Sequence, residues 1–251
     1  MINITRSEKV PDSLNKPAIR QHLDDLDAYH YNQQLPPAEQ HSLKKPECAQ
    51  SYRNADLFEA FDECFFSKCY LTEKAFVTSY SMDVEHFVPR NERPDLTYKW
   101  ENLYPADHDA NMIKPWKTPS GGYLDPCDLQ DDVEKELLYF LDFEGNKVNF
   151  KARDRTNEKA INTAKLLQKL HNGDSGDSKQ KTLELRNAIK TKYVEVLNTI
   201  IRWRKACQEQ NQEEEFKNEC LLKGYLSRES AFTMIMRSVD AVKDLPSDFF
   251  D

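Results

Sequence analysis

Between Asp83 and Lys114 the chain reads DVEHFVPRNERPDLTYKWENLYPADHDANMIK, and no other stretch limits fold and chemistry so tightly. Glu85 and His86 stand side by side on a short apolar run that stops at Pro89. Asn102 follows sixteen positions after His86, and Asn111 nine positions after that, just before Met-Ile-Lys. Read physically, this is a strand carrying a carboxylate and an imidazole, then a loop, then a helix start that offers an amide oxygen. One hard cation and one general base can be held together in such a frame. A divalent ion bound by a carboxylate, an amide oxygen and waters can take up a phosphodiester and stabilise its developing charge. Histidine suits the base because its ordinary pKa lies near neutrality, and a positioned base contributes roughly 100-fold to 10,000-fold in rate. His86 is therefore the candidate base, with Glu85 and Asn111 the candidate ligands.

Each of these residues also has a plainer reading. A lone histidine beside apolar residues is more often a hydrogen-bonded structural group, Asn102 an ordinary turn residue, and Asn111 an N-cap. Only their joint spacing argues otherwise. Asp83 lies two residues before Glu85, hence on the same strand face, where it can orient the imidazole or a water. His108, three residues before Asn111, faces nearly the same side of a helix and is a further candidate ligand. Arg90, Arg93, Lys114 and Lys117 form a local basic cluster, with Arg90 and Lys114 the leading phosphate contacts. His22, His30, His41 and His171 have no partner at motif spacing and read as surface or core histidines.

Composition bounds the rest. The 251 residues suit one large domain or two small ones. A mean hydropathy of −0.80 and the lack of a long apolar run argue against membrane spans and a secretory signal, so the cytoplasm is the expected compartment. A net charge of −8 argues against coating nucleic acid by bulk attraction, so any nucleic acid must be met through a local basic patch or with a partner's help. The six cysteines, at 48, 64, 69, 127, 207 and 220, include no C-x-x-C pair and read as reduced thiols.

In chain order, residues 1–53 are a Pro-rich arm, largely extended, with one short helix over IRQHLDDLDAY, able to wrap another surface. Leu57, Phe58, Phe61, Phe65 and Phe66 make one helical face capped at Asn54 or Asp56. The unit built on it runs over 54–126 and ends in the turn-rich PWKTPSGGYLDP. Residues 127–251 form a hairpin plus a helical region. ELLYFLDFEGNKVNFKA over 136–152 alternates around a tight turn, and amphipathic stripes follow from Asn157 and through Leu185 to Trp203. The acidic QEQNQEEEF reads as a solvated separator before a last helix over SRESAFTMIMRSVDAV. The expected fold class is thus α+β, mostly helical.

The run from Cys69 to Lys114 resembles an HNH endonuclease of the ββα-metal type. Position by position, the resemblance places Glu85 on the metal-binding acidic residue and His86 on the general base. It places Asn102 on the middle Asn that pins the loop and orients the base, and Asn111 on the last metal ligand. Those residues, with catalysis assigned to His86 and Asn102, would form a small ββα-metal nuclease unit. Many relatives staple this unit with a zinc ribbon of two C-x-x-C pairs. Here the corresponding positions read Cys69 and Thr72, then Asp107 and Ala110. A structural zinc is not expected there, and Tyr70, Leu71, Phe87, Trp100 and Leu103 must supply the packing instead. Asn111 stands where His is usual, which favours Mg²⁺, with Mn²⁺ as second fit, over softer ions.

Beyond that unit, the chain is similar to the HNH proteins of Septu-type and retron-associated anti-phage systems. The shared features are ITRSEKVPDSL, KCYLTE, DVEHFVPR, YKWENLYP, YLDPCDLQ and GNKVNFKARD followed by TAKLLQKLHN. This resemblance implies phosphodiester cleavage in DNA or tRNA under the control of an ABC/SMC-type ATPase, in some systems alongside a retron reverse transcriptase and its msDNA. The competing expectation is a non-catalytic adaptor whose remnant ββα unit only docks nucleic acid or the ATPase.

Overall fold

The computed structural model describes residues 1–47, 52–78, 81–142 and 144–251. The chain is a mixed α and β protein, mostly helical, with two separate two-stranded antiparallel sheets among the described residues. No described helix is long and apolar enough to cross a membrane.

Helix α1 (Pro17–Gln34) starts on a proline, whose fixed φ suits a first helical position, and buries Ile19, His22 and Leu26. It is longer than the eleven residues expected, because the stripe at 19, 22 and 26 finds a core to face within this same chain. The first residues also differ from the expectation of an arm laid on another surface. Met1, Ile2, Ile4 and Leu14 are buried in the common core. Helix α2 (Ala55–Phe65) buries Leu57, Phe58, Phe61 and Phe65, and left-handed Phe66 and Ser67 end it.

Strand β1 (Asp83–His86) pairs antiparallel with β2 (Leu103–Ala106), in a register that sets Glu85 opposite Tyr104 and His86 opposite Leu103. Every residue of β2 is buried. Helix α3 (His108–Ile113) follows at once, capped by the Asp107 carboxylate, which accepts from the Asp109 amide. The order strand, loop, strand, helix is thus present, and α3 packs on β1. Behind the sheet, Phe61 stacks on Trp100 at 5.4 Å, and Phe65, Tyr70 and Phe87 ring Tyr104. Arg6 lies over the Tyr104 ring, 4.2 Å from its centroid, and donates to the Leu103 carbonyl at 2.9 Å.

After a short helix α4 (Val133–Glu136), strands β3 (Leu137–Asp142) and β4 (Lys147–Ala152) form the expected hairpin. Its turn lies partly outside the described residues. Helix α5 (Glu158–Asn172) covers β4 and stops at Gly173, φ 69°. Gln168 and Asn172, one turn apart on α5, accept from the Phe150 and Val148 amides at 3.0 Å each. Those bonds satisfy backbone groups that an edge strand would otherwise expose.

A short α6 (Gly176–Lys181) leads into α7 (Leu183–Gln208), which buries Ile189, Val196 and Ile200. The acidic run is solvated and does separate two helices, as expected, but its second half is itself helical. It opens helix α8 (Gln212–Leu226), with Glu213, Glu214 and Glu215 in its first turn, where carboxylates offset the helix dipole. The last expected helix is likewise broken, into α9 (Thr233–Arg237) and α10 (Asp240–Lys243), because Phe232 is left-handed and Val239 extended.

Candidate functional site

His86 closes β1 and is only 8% exposed. Its Nε2 lies 2.8 Å from the Thr97 carbonyl. A carbonyl can only accept, so Nε2 carries the ring proton and the lone pair is on Nδ1. Burial, reinforced by the charges of Arg90 and Lys114, pushes the imidazole down to about 4, against the pull of the Thr97 bond. At neutral pH the ring is therefore uncharged and able to accept a proton. It lines an open cleft of about 530 Å³.

Asn102 fixes the loop between the strands. Its Oδ1 accepts from the Val88 amide at 2.7 Å, while Nδ2 donates to the Val88 and Leu96 carbonyls at 3.1 and 3.2 Å. The Phe87 amide also donates to the Asn102 carbonyl at 2.9 Å. Both arms of the loop are thereby tied to one side chain, and Thr97 is held where His86 needs it.

Glu85 and Asn111 both line the same cleft, as do Val84 and Arg90. Glu85 Oε1 accepts from the Lys114 ammonium at 2.5 Å. Lys114 was expected to meet phosphate, but it is buried and also donates to the His86 and Phe87 carbonyls at 2.9 and 3.0 Å. Its position one residue past α3 turns it under β1 rather than out to solvent. Asn111 Nδ2 donates to Asp83 Oδ2 at 3.0 Å, which turns the amide so that Oδ1 is its other face. His108 Nδ1 is 2.9 Å from the same Asp83 oxygen, and that contact raises the exposed imidazole above its ordinary value. Burial raises the Asp83 carboxyl, but the bonds from Asn111 and His108 outweigh it and hold the group below its usual range.

The turn over residues 68–75, which carries Cys69, is closed by peptide groups and an ion pair. Cys69 N donates to the Lys74 carbonyl at 2.9 Å, Glu73 N returns to the Cys69 carbonyl, and Lys68 bridges Ala75. The Lys74 ammonium reaches Asp107 at 2.7 Å, which joins the turn to the start of α3. Tyr70, Leu71, Trp100 and Leu103 are buried around it, with Phe87 packed alongside.

As a test of the donor set, Glu85, Asn111 and Asp83 offer hard oxygens and no thiolate, as Mg²⁺ requires. Among the described residues no group of three or more His, Cys, Asp and Glu side chains converges as a ready metal site. The two expected ligands carry protein partners instead, Lys114 on Glu85 and Asp83 on Asn111. The set fits a cation held by few protein groups and mostly by water and phosphate oxygens.

The cleft has a second wall that the sequence reading missed. Helix α1 presents His22, Leu26 and His30 to it, and Lys45, Arg53 and Trp116 line it as well. The 22, 26, 30 spacing marks one helical face and could have been read, but nothing local says what that face meets. Compared with family models, with curated proteins and with solved structures, the chain has no match.

Proposed function

We propose that the chain is a metal-dependent HNH endonuclease that cleaves phosphodiester bonds in DNA or tRNA. The observation that carries this reading is His86, a neutral imidazole anchored through Nε2 in the same cleft as Glu85 and Asn111. In this reading a water molecule attacks phosphorus while His86 Nδ1 takes its proton, and the bond to the leaving oxygen breaks. The leaving oxygen is then protonated from solvent. Asn102 keeps the loop, and so the imidazole, in place. Glu85 Oε2 and Asn111 Oδ1 would hold the ion, with Asp83 orienting Asn111. A bound Mg²⁺ would supply neutralisation of the charge developing on phosphate oxygens. Arg90, exposed on the cleft wall, meets the backbone.

The resemblance supports placing this activity in the cytoplasm, as the effector of an anti-phage complex controlled by an ABC/SMC-type ATPase. Exposed apolar residues on the helix pair, Ile201 on α7 and Phe216 on α8, suit a protein contact there.

A second reading is favoured by the partners already present on Glu85 and Asn111. Such a self-satisfied site also suits an adaptor that docks nucleic acid or the ATPase without cutting. Incubation with plasmid and tRNA, with the ATPase, and with Mg²⁺ or EDTA separates the two. Cleavage that needs the divalent ion and falls by about 100-fold to 10,000-fold in His86→Ala supports the nuclease. Cleavage that persists in the variant or in chelator overturns it, and no cleavage with any divalent ion favours the adaptor.

A further inference from the structure

The wall built by α1 has its own chemistry. His22 is 7% exposed, with Nδ1 at 2.9 Å from the Tyr98 hydroxyl, and its Nε2 is buried without a hydrogen-bond partner. With Tyr98 as donor to Nδ1, Nε2 carries a proton and offers an unused donor. His30, on the same helix face, also has a buried Nε2 without a partner. An unpaired buried polar nitrogen is costly, roughly 1–3 kcal/mol, so two such atoms on residues lining one cleft call for a partner from outside.

The charge in this cleft has one sign. Lys45, Arg53 and Arg90 are exposed along it, while the only carboxylate among its described lining residues, Glu85, is paired with Lys114. In a chain of net charge −8 this local excess suits a polyanion. At the rim stands Trp116, 81% exposed and next to Pro115, an indole face open to solvent. Large aromatics so placed serve as stacking platforms for bases that are not paired. The size of the cleft points the same way. About 530 Å³ between α1 and β1 is the scale of a small-molecule site and holds a nucleotide or two, not a duplex.

We propose that the cleft takes an unpaired strand of nucleic acid. A base stacks on Trp116 at the rim, and His22, His30, Lys45 and Arg53 hold the phosphates next to the one that faces His86. This inference deepens the nuclease reading and rests on it for the identity of the facing phosphate. It adds the class of substrate and the residues that select it.

Binding tests it without cleavage. Fluorescein-labelled single-stranded DNA and RNA of about 20 nucleotides, and the blunt duplex of each sequence, are titrated with the full chain in EDTA and followed by anisotropy. The single strands are expected to bind at least about 10-fold more tightly than the duplexes. The DNA and RNA arms show which sugar is preferred, and tight single-strand binding by either supports the proposal. Trp116→Ala, at an exposed position, is expected to weaken single-strand binding by about 5-fold to 150-fold, the range for losing one stacked base. Trp116→Phe is expected to restore most of it. His22→Gln is expected to weaken the single strand and leave the weak duplex binding unchanged. Duplex binding as tight as single-strand binding overturns the proposal, as does an unchanged affinity in Trp116→Ala. Failure here is distinct from failure of the nuclease reading, which the comparison of His86→Ala with the wild type tests by cleavage.

Discussion

The two small sheets are held by opposite means. In β1–β2, four residues long on each strand, Leu103, Tyr104, Pro105 and Ala106 are all buried, and Arg6, Phe65, Tyr70 and Phe87 crowd Tyr104 from behind. In β3–β4, six residues long, burial alternates along the strands, Phe140 stands 47% exposed, and α5 covers one side. The longer hairpin sets its own register through cross-strand pairs such as Tyr139 with Phe150. The shorter one has its position imposed by the core behind β2 and by Asn102. A sheet so over-determined on one side can carry Asp83, Glu85 and His86 on its other strand without slipping. Polar groups at a site need that kind of backing, because their own interactions contribute little net stability.

The two sheets are expected to differ most in which of them supports chemistry. His86→Ala is expected to lower cleavage by about 100-fold to 10,000-fold in single-turnover assays, and no substitution in β3–β4 should match it at temperatures where the fold is intact. The next effect belongs to the other sheet. Leu137→Ala, at a fully buried position of β3, is expected to lower the unfolding free energy by about 2–5 kcal/mol in urea titrations. A loss as large as that in His86→Ala without any change in rate would reverse the assignment of roles.

Asn102→Ala should affect both quantities, because the change leaves the Val88 amide unpaired and frees the loop that holds Thr97. We expect about 1–3 kcal/mol of stability lost in the same titration, together with a fall in rate.

The two buried histidines also differ in what their titration is expected to do. His86 and His171 are both pushed down to about 4 by burial, but only His86 lines the cleft. A base must be unprotonated to act, so activity is expected to hold between about pH 5 and 7 and to fall as pH drops through about 4. A limb near 6.5 would place the reaction on an ordinary exposed histidine instead. Stability follows both rings. Between about 6.5 and 4 the unfolded chain binds more protons than the folded one, so stability is lost as pH falls through that window. The smallest effect is expected at the open face of β3, where Phe140→Thr should change stability by no more than about 0.5 kcal/mol.

Much of this architecture was legible in the sequence where local pattern decides. The stripes of α5 and α7, the hairpin over 136–152 and the aromatic face of α2 all follow from period and turn chemistry. Helix α8 was hidden because its buried residues, Asn218, Leu222 and Leu226, make a thin seam behind an acidic start. At the site, the spacing anticipated that Glu85, His86 and Asn111 would line one cleft, with Asn102 tying the loop behind it. The inward turn of Lys114, the burial of Arg6 and the facing of α1 toward β1 could not be read from spacing. Each of those depends on a partner far along the chain, and nothing in the neighbouring residues names it.

One such long-range arrangement bears on how the molecule comes into being. Asn3 accepts from the Val133 amide through its side chain and from Arg228 through its carbonyl, 225 residues away in sequence. Ribosomes add roughly 5–20 residues per second, so Asn3 waits on the order of 10–50 s before Arg228 exists to meet it. During that interval Ile2 and Ile4 lack part of the interior they finally enter, and their apolar side chains stay open to a chaperone.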